Sequence, residues 1–140
     1  MDLETVSAAD FGRSLKGLGL NLLVRDVLAE AEFLRFVFEM NAHRLSRDFA
    51  IMVYADGVFQ LHSDGTFGAH PLLGLLPEAG PRGAGVEIRL YETDPDTAAA
   101  RAAEVADAVV LQAPADKPHG LRECVILCPN GYAWVPSRRL

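Results

Sequence analysis

One order of local signals is written twice into this chain: an alternating strand, an Asp before a helix, the helix, more strands, and a tight hairpin. In the first copy Leu20, Leu22 and Val24 alternate with Asn21, Leu23 and Arg25, and a period of two belongs to a strand. Asp26 follows, its carboxylate able to accept orphan amide protons of the next turn. Residues 27–39 then carry Val27, Ala31, Leu34 and Phe38 at helical spacing, with Phe33 and Val37 widening the apolar stripe. Residues 41–62 read as three short strands. Phe49, Ile51 and Val53 alternate ahead of Asp56-Gly57, a hairpin signal because Gly readily takes positive φ.

The second copy repeats the order. Val86, Ile88 and Leu90 alternate with Glu87, Arg89 and Tyr91. Asp94 caps, Pro95 takes the first helical position, and Asp96 favours the positive end of the helix dipole. Residues 98–108 form an alanine-rich helix, and strands are expected at 109–112, 122–127 and 132–135, the last two joined by Pro129-Asn130-Gly131. Duplication of a βαβββ unit is the simplest account, giving an α+β fold of two tandem βαβββ modules at residues 18–62 and 85–140. Residues 1–17 form a leader, with a short helix opening at Ser7 and closing near Leu15. Residues 63–84, rich in Gly and Pro, form a linker long enough to join two units.

The 140 residues, half of them apolar, suffice for a core without disulfides or a structural metal. A net charge of -6 repels polyanions, which excludes nucleic acid and an anionic membrane surface as expected partners. No apolar run approaches the roughly 20 residues of a spanning helix. Met1-Asp2-Leu3-Glu4 is acidic where a secretory signal is basic, so the expected location is cytoplasmic. Cys124 and Cys128 would stand about 13 Å apart on one extended strand. Disulfide geometry needs Cα atoms within about 7 Å, so both are expected as reduced, structural thiols.

Two stretches resemble the glyoxalase/bleomycin resistance protein/dioxygenase superfamily, also called vicinal oxygen chelate. They are Asn21-Leu22-Leu23-Val24-Arg25-Asp26-Val27 with Ala31-Glu32-Phe33-Leu34, and Pro118-His119-Gly120-Leu121-Arg122-Glu123 with Cys128-Pro129-Asn130-Gly131-Tyr132. The resemblance covers about residues 18–137. It implies curled mixed sheets with helices outside, a cavity inside, and a homodimer. It further implies four metal-ligand positions, which fall on Gly19, Gln60, Glu87 and Val135. Gln60 and Glu87 can ligate, whereas Gly19 and Val135 cannot, and Cys128 stands where the family commonly has Asp. A rebuilt triad of Gln60, His62 and Glu87 is the remaining metal option.

Strand parity supplies a second site list. With Val86, Ile88 and Leu90 facing the helices, Glu87, Arg89 and Tyr91 face inward, as do Asn21, Leu23, Gln60 and His62. Of the adjacent pair Arg122 and Glu123, one must point to the cavity side; parity alone leaves open which. His43 reads as surface, His70 as linker, His119 as part of a turn, and Trp134 as packing. Asp at both strand–helix junctions would repel phosphate. The expected function is therefore metal-free sequestration of a small molecule in a dimer cavity, with no cofactor, contacted by Gln60, His62, Glu87, Arg89, Tyr91, Arg122 and Glu123. The competing expectations are a metal-dependent lyase or dioxygenase with a rebuilt site, an acid–base enzyme using Glu87, and a pure interaction module.

Overall fold

The computed structural model describes residues 1–67 and 70–140. Positions 68 and 69 of the expected linker, Gly68 among its breakers, lie outside the described residues. The chain divides into two compact units, Met1–Arg35 with Glu39–Leu73, and Phe36–Phe38 with Gly74–Leu140. Each holds one four-stranded mixed sheet, and the described residues contain three α-helices. The fold is α+β.

In the first unit α1 (Ala8–Ser14) precedes β1 (Asn21–Val24), α2 (Val27–Phe38), β2 (Asn41–His43), β3 (Phe49–Tyr54) and β4 (Gly57–Ser63). The sheet order is β1-β4-β3-β2, with β1 parallel to β4 and the rest antiparallel. Asp26 caps α2 as expected, its side chain accepting from the Ala29 amide at 3.0 Å. Glu39 ends that helix in the left-handed region at φ 59°. Leu22, Val24, Ala50, Met52 and Leu61 share one sheet face and are almost fully buried, as is the α2 stripe of Val27, Ala31, Leu34 and Val37. Glu30, also on α2, is fully buried.

The β3–β4 hairpin departs from the sequence expectation by one residue. Tyr54 pairs with Gly57, so Ala55-Asp56 makes the turn and Ala55 takes the positive φ, at 50°. Gly57 serves close approach instead: a Cβ there would stand 3.3 Å from the Tyr54 carbonyl oxygen. Two 3-10 turns follow, at Asp64–Phe67 and Pro71–Leu75.

The second unit runs β5 (Glu87–Leu90), α3 (Pro95–Ala102), β6 (Val109–Asp116), β7 (Leu121–Leu127) and β8 (Ala133–Arg139), in the order β5-β8-β7-β6. Asp94 caps α3, accepting from the Asp96 and Thr97 amides. The helix stops at Ala102, short of residue 108. Beyond it the chain tightens into three-residue turns, because alanine supplies helix propensity but little surface to bury. β6 runs past its expected end through Pro114, which an edge strand with register shifts tolerates. β8 likewise continues through Pro136, and its ladder with β7 pairs Ile126 with Trp134 and Glu123 with Ser137 on either side. Gly131, at φ 79°, closes the β7–β8 turn. α3 lies against β6, β7 and β8, with the Cys124 thiol 3.6 Å from the Pro95 carbonyl.

Candidate functional site

Alternation along the second sheet sorts its charged residues. Cys124 faces α3, and so does Arg122, two positions before it. Arg122 spans Asp96 on α3 at 2.8 and 2.9 Å and Asp116 on β6 at 3.0 Å. It fastens helix to sheet, on the face away from Glu87 and Arg89. The hydrogen bond to Asp96 leads the causes that raise its guanidinium pKa. Glu123 is therefore the member of the pair on the opposite face, where Glu87 and Arg89 also lie.

There Arg89 sits between two carboxylates, with Nη1 at 3.0 Å from Glu87 and 3.1 Å from Glu123. Both contacts fall on Nη1, so Nε and Nη2 are committed to neither carboxylate. The Tyr91 ring lies beneath the guanidinium, with its centroid 5.7 Å from Cζ. His119 Nε2 meets the second oxygen of Glu123. Glu123 is only 6% exposed, while Glu87 and Tyr91 are more than half exposed. Burial pushes the Glu123 carboxyl up, but hydrogen bonds from Arg89 and His119 outweigh it and hold it below the usual carboxylate range. Arg89 is raised, foremost by its hydrogen bond to Glu123. Glu87 and Glu123 set two carboxylates against the one guanidinium, beside an open aromatic ring.

In the first unit Gln60 and His62, two apart on β4, are hydrogen-bonded through Oε1 and Nε2 at 3.2 Å. The Phe49 ring lies 5.1 Å from that of His62. Burial, with a smaller contribution from His70, lowers the His62 pKa and favours the neutral ring. The seven expected site residues thus fall into three groups: Glu87, Arg89, Tyr91 and Glu123 together, Gln60 with His62 in the other unit, and Arg122 apart.

Solved structures share this architecture. A glyoxalase/bleomycin resistance protein/dioxygenase family enzyme from Burkholderia phytofirmans PsJN matches 86% of this chain and 96% of its own, with TM-score 0.67 at 17% identity. The chain has the glyoxalase/bleomycin-resistance fold. A glyoxalase-related enzyme from Fulvimarina pelagi agrees, with TM-score 0.69, 14% identity, and 89% of each chain covered. So does a glyoxalase/bleomycin resistance protein/dioxygenase from Nocardioides, with TM-score 0.64, 18% identity, and 94% and 91% covered. No family model and no curated protein matches the sequence. Identities this low establish the fold and not the activity.

The metal positions that the glyoxalase fold implies do not fit a metal here. Gly19 has no side chain, and Val135 is aliphatic and fully buried. Glu87 is held by Arg89, and the Gln60 oxygen by His62. Among the described residues, no three His, Cys, Asp or Glu side chains gather as a metal would require.

Sequence reasoning missed two participants. His119 was assigned to its turn, yet the turn brings it back onto Glu123; a His four residues before a strand carboxylate, across a Gly, was the available signal. The leader was assigned no partner. Arg44, at φ 50°, donates to the carbonyls of Leu3 and Val6, while Glu4 accepts from the Arg44 amide and meets His43 at 3.1 Å. No local pattern announces a contact between residues so far apart in sequence.

Proposed function

We propose that this chain is a small-molecule-binding protein, acting as a homodimer and without metal, that takes up a neutral or cationic aromatic compound at the Arg89–Glu123 cluster. One observation carries the reading: Arg89 meets both carboxylates through Nη1, beside the exposed Tyr91 ring. Nε and Nη2 can then donate to a ligand carbonyl or hydroxyl while Tyr91 stacks on its ring. The surplus carboxylate charge selects against anions and in favour of cations. Ligand retention needs no bond to be made or broken. The mismatch at the family's metal positions supports sequestration over a metal-dependent lyase or dioxygenase.

A thermal-shift screen of neutral, cationic and anionic aromatic compounds tests this, because a ligand that binds the folded state raises the melting temperature. Neutral or cationic hits should dominate, and Tyr91→Ala should weaken them about tenfold, a loss of roughly 1.4 kcal/mol. Hits indifferent to Tyr91→Ala would overturn the assignment. So would about one metal ion per chain retained after soaking and desalting, and lost in Glu87→Ala.

A further inference from the structure

We infer that His119 makes the Arg89–Glu123 cluster a hydrolytic site, where an imidazole held by a buried carboxylate activates water against the carbonyl of a bound aryl ester. This rests on the binding reading above, because Arg89 and Tyr91 must first hold the guest. The two oxygens of Glu123 are divided between two partners, Oε1 to His119 Nε2 and Oε2 to Arg89 Nη1. Imidazole and guanidinium therefore flank one carboxylate. Those contacts keep Glu123 ionised at neutral pH, so its oxygens only accept, and Nε2 is the ring nitrogen that carries the hydrogen. In the neutral ring the lone pair then stands on Nδ1, which has no hydrogen-bond partner among the described residues.

The imidazole is firmly placed. The Lys117 amide donates to the Leu121 carbonyl at 2.8 Å to close its turn, Gly120 takes φ 87°, and the Gly120 carbonyl accepts from the Leu140 amide. With the ring 53% exposed, water reaches Nδ1. Cys124 and Ser137, the thiol of β7 and the hydroxyl of β8, are fully buried, so the attacking oxygen comes from solvent. Water adds to the carbonyl carbon as its proton passes to Nδ1. The carbonyl π pair moves to oxygen, where Arg89 Nε and Nη2 can donate to it. Collapse of that adduct breaks the bond to the aryl oxygen, and His119 returns the proton there. The products are a carboxylic acid and a phenol, and no further reactant enters. An aryl ester suits the site because Tyr91 stacks on its ring and a phenoxide leaves more readily than an alkoxide.

Hydrolysis of phenyl acetate, followed by phenol release, tests the inference, with acetanilide as an unreactive mimic of the ester. The wild type should turn phenyl acetate over with saturation, and acetanilide should inhibit competitively. His119→Gln should lower kcat at least about 100-fold, the usual share of general-base catalysis, and leave KM within about twofold. Free imidazole should restore turnover to His119→Gly, a rescue that a merely structural loss would not show. Tyr91→Ala should instead raise KM about tenfold. His43→Gln, which alters an imidazole of the first unit, should change nothing. Turnover undiminished in His119→Gln, or lost equally in His43→Gln, would overturn the inference. So would acetanilide binding without hydrolysis of phenyl acetate, an outcome that leaves the binding reading standing. Failure of both compounds to bind would overturn the two together.

Discussion

Arg89→Met removes the cation beside a carboxylate that is only 6% exposed. Deleting one partner of a fully buried ion pair costs about 3–5 kcal/mol. Arg89 is itself 24% exposed and His119 still meets Glu123, so solvent and the imidazole recover part of that cost. The expected loss at pH 7 is about 2 kcal/mol, or about 8 °C in melting temperature. The pH dependence follows from the sign of the Glu123 shift. In the wild type its pKa is depressed, so the pair's contribution is complete above the ordinary carboxylate range and is lost as pH falls through the lowered value. Without Arg89, the upward push of burial meets only His119, and Glu123 takes up a proton at higher pH than in the wild type. The stability gap between the two proteins should therefore narrow as pH drops from 7 toward about 4. Urea unfolding followed by circular dichroism at both pH values measures it. The double variant Arg89→Met/Glu123→Leu replaces the pair by apolar groups and should regain at least half of the loss. A loss below about 0.5 kcal/mol at pH 7, or a double variant as unstable as the two single losses summed, would refute the reasoning.

Two further outcomes follow from geometry. Cys124 is fully buried and Cys128 nearly so, with burial pushing the Cys124 thiol up to about 12, so neither should react with a thiol reagent near neutral pH until the protein is unfolded. Gly131→Ala should cost at least about 2 kcal/mol in urea unfolding, because Gly131 holds φ 79° and a Cβ would fall 2.3 Å from the Pro81 Cα.

Much of the fold was legible because its punctuation is local. Asp26 and Asp94 cap the helices they precede, and Gly131 turns the hairpin it was expected to turn. Errors arose where a local rule met a non-local circumstance. β6 and β8 each run past the end expected of them, through Pro114 and Pro136, because one lies on a sheet edge and the other in a strand whose ladder resumes beyond it. The candidate site was legible only in part. Parity put Glu87 and Arg89 on one face, yet the choice between Arg122 and Glu123 depended on the phase of β7 relative to α3. The packing of the leader was not legible at all, since Phe11, Phe49 and Ile51 come to line one pocket only after distant segments have folded.

In both units the opening strand is zipped in parallel against the closing one: Asn21 pairs with Gln60, and Glu87 with Ala133. The antiparallel strands between them need only short turns, whereas the parallel pairing must close a loop spanning most of the unit. Assembly in time therefore runs against the order of the chain. The first strand to leave the ribosome is the last that can find its seat, and until then the flank of β4, or of β8, lies bare. A nascent chain of this design is most vulnerable to trapping by another copy just before synthesis of each repeat is finished.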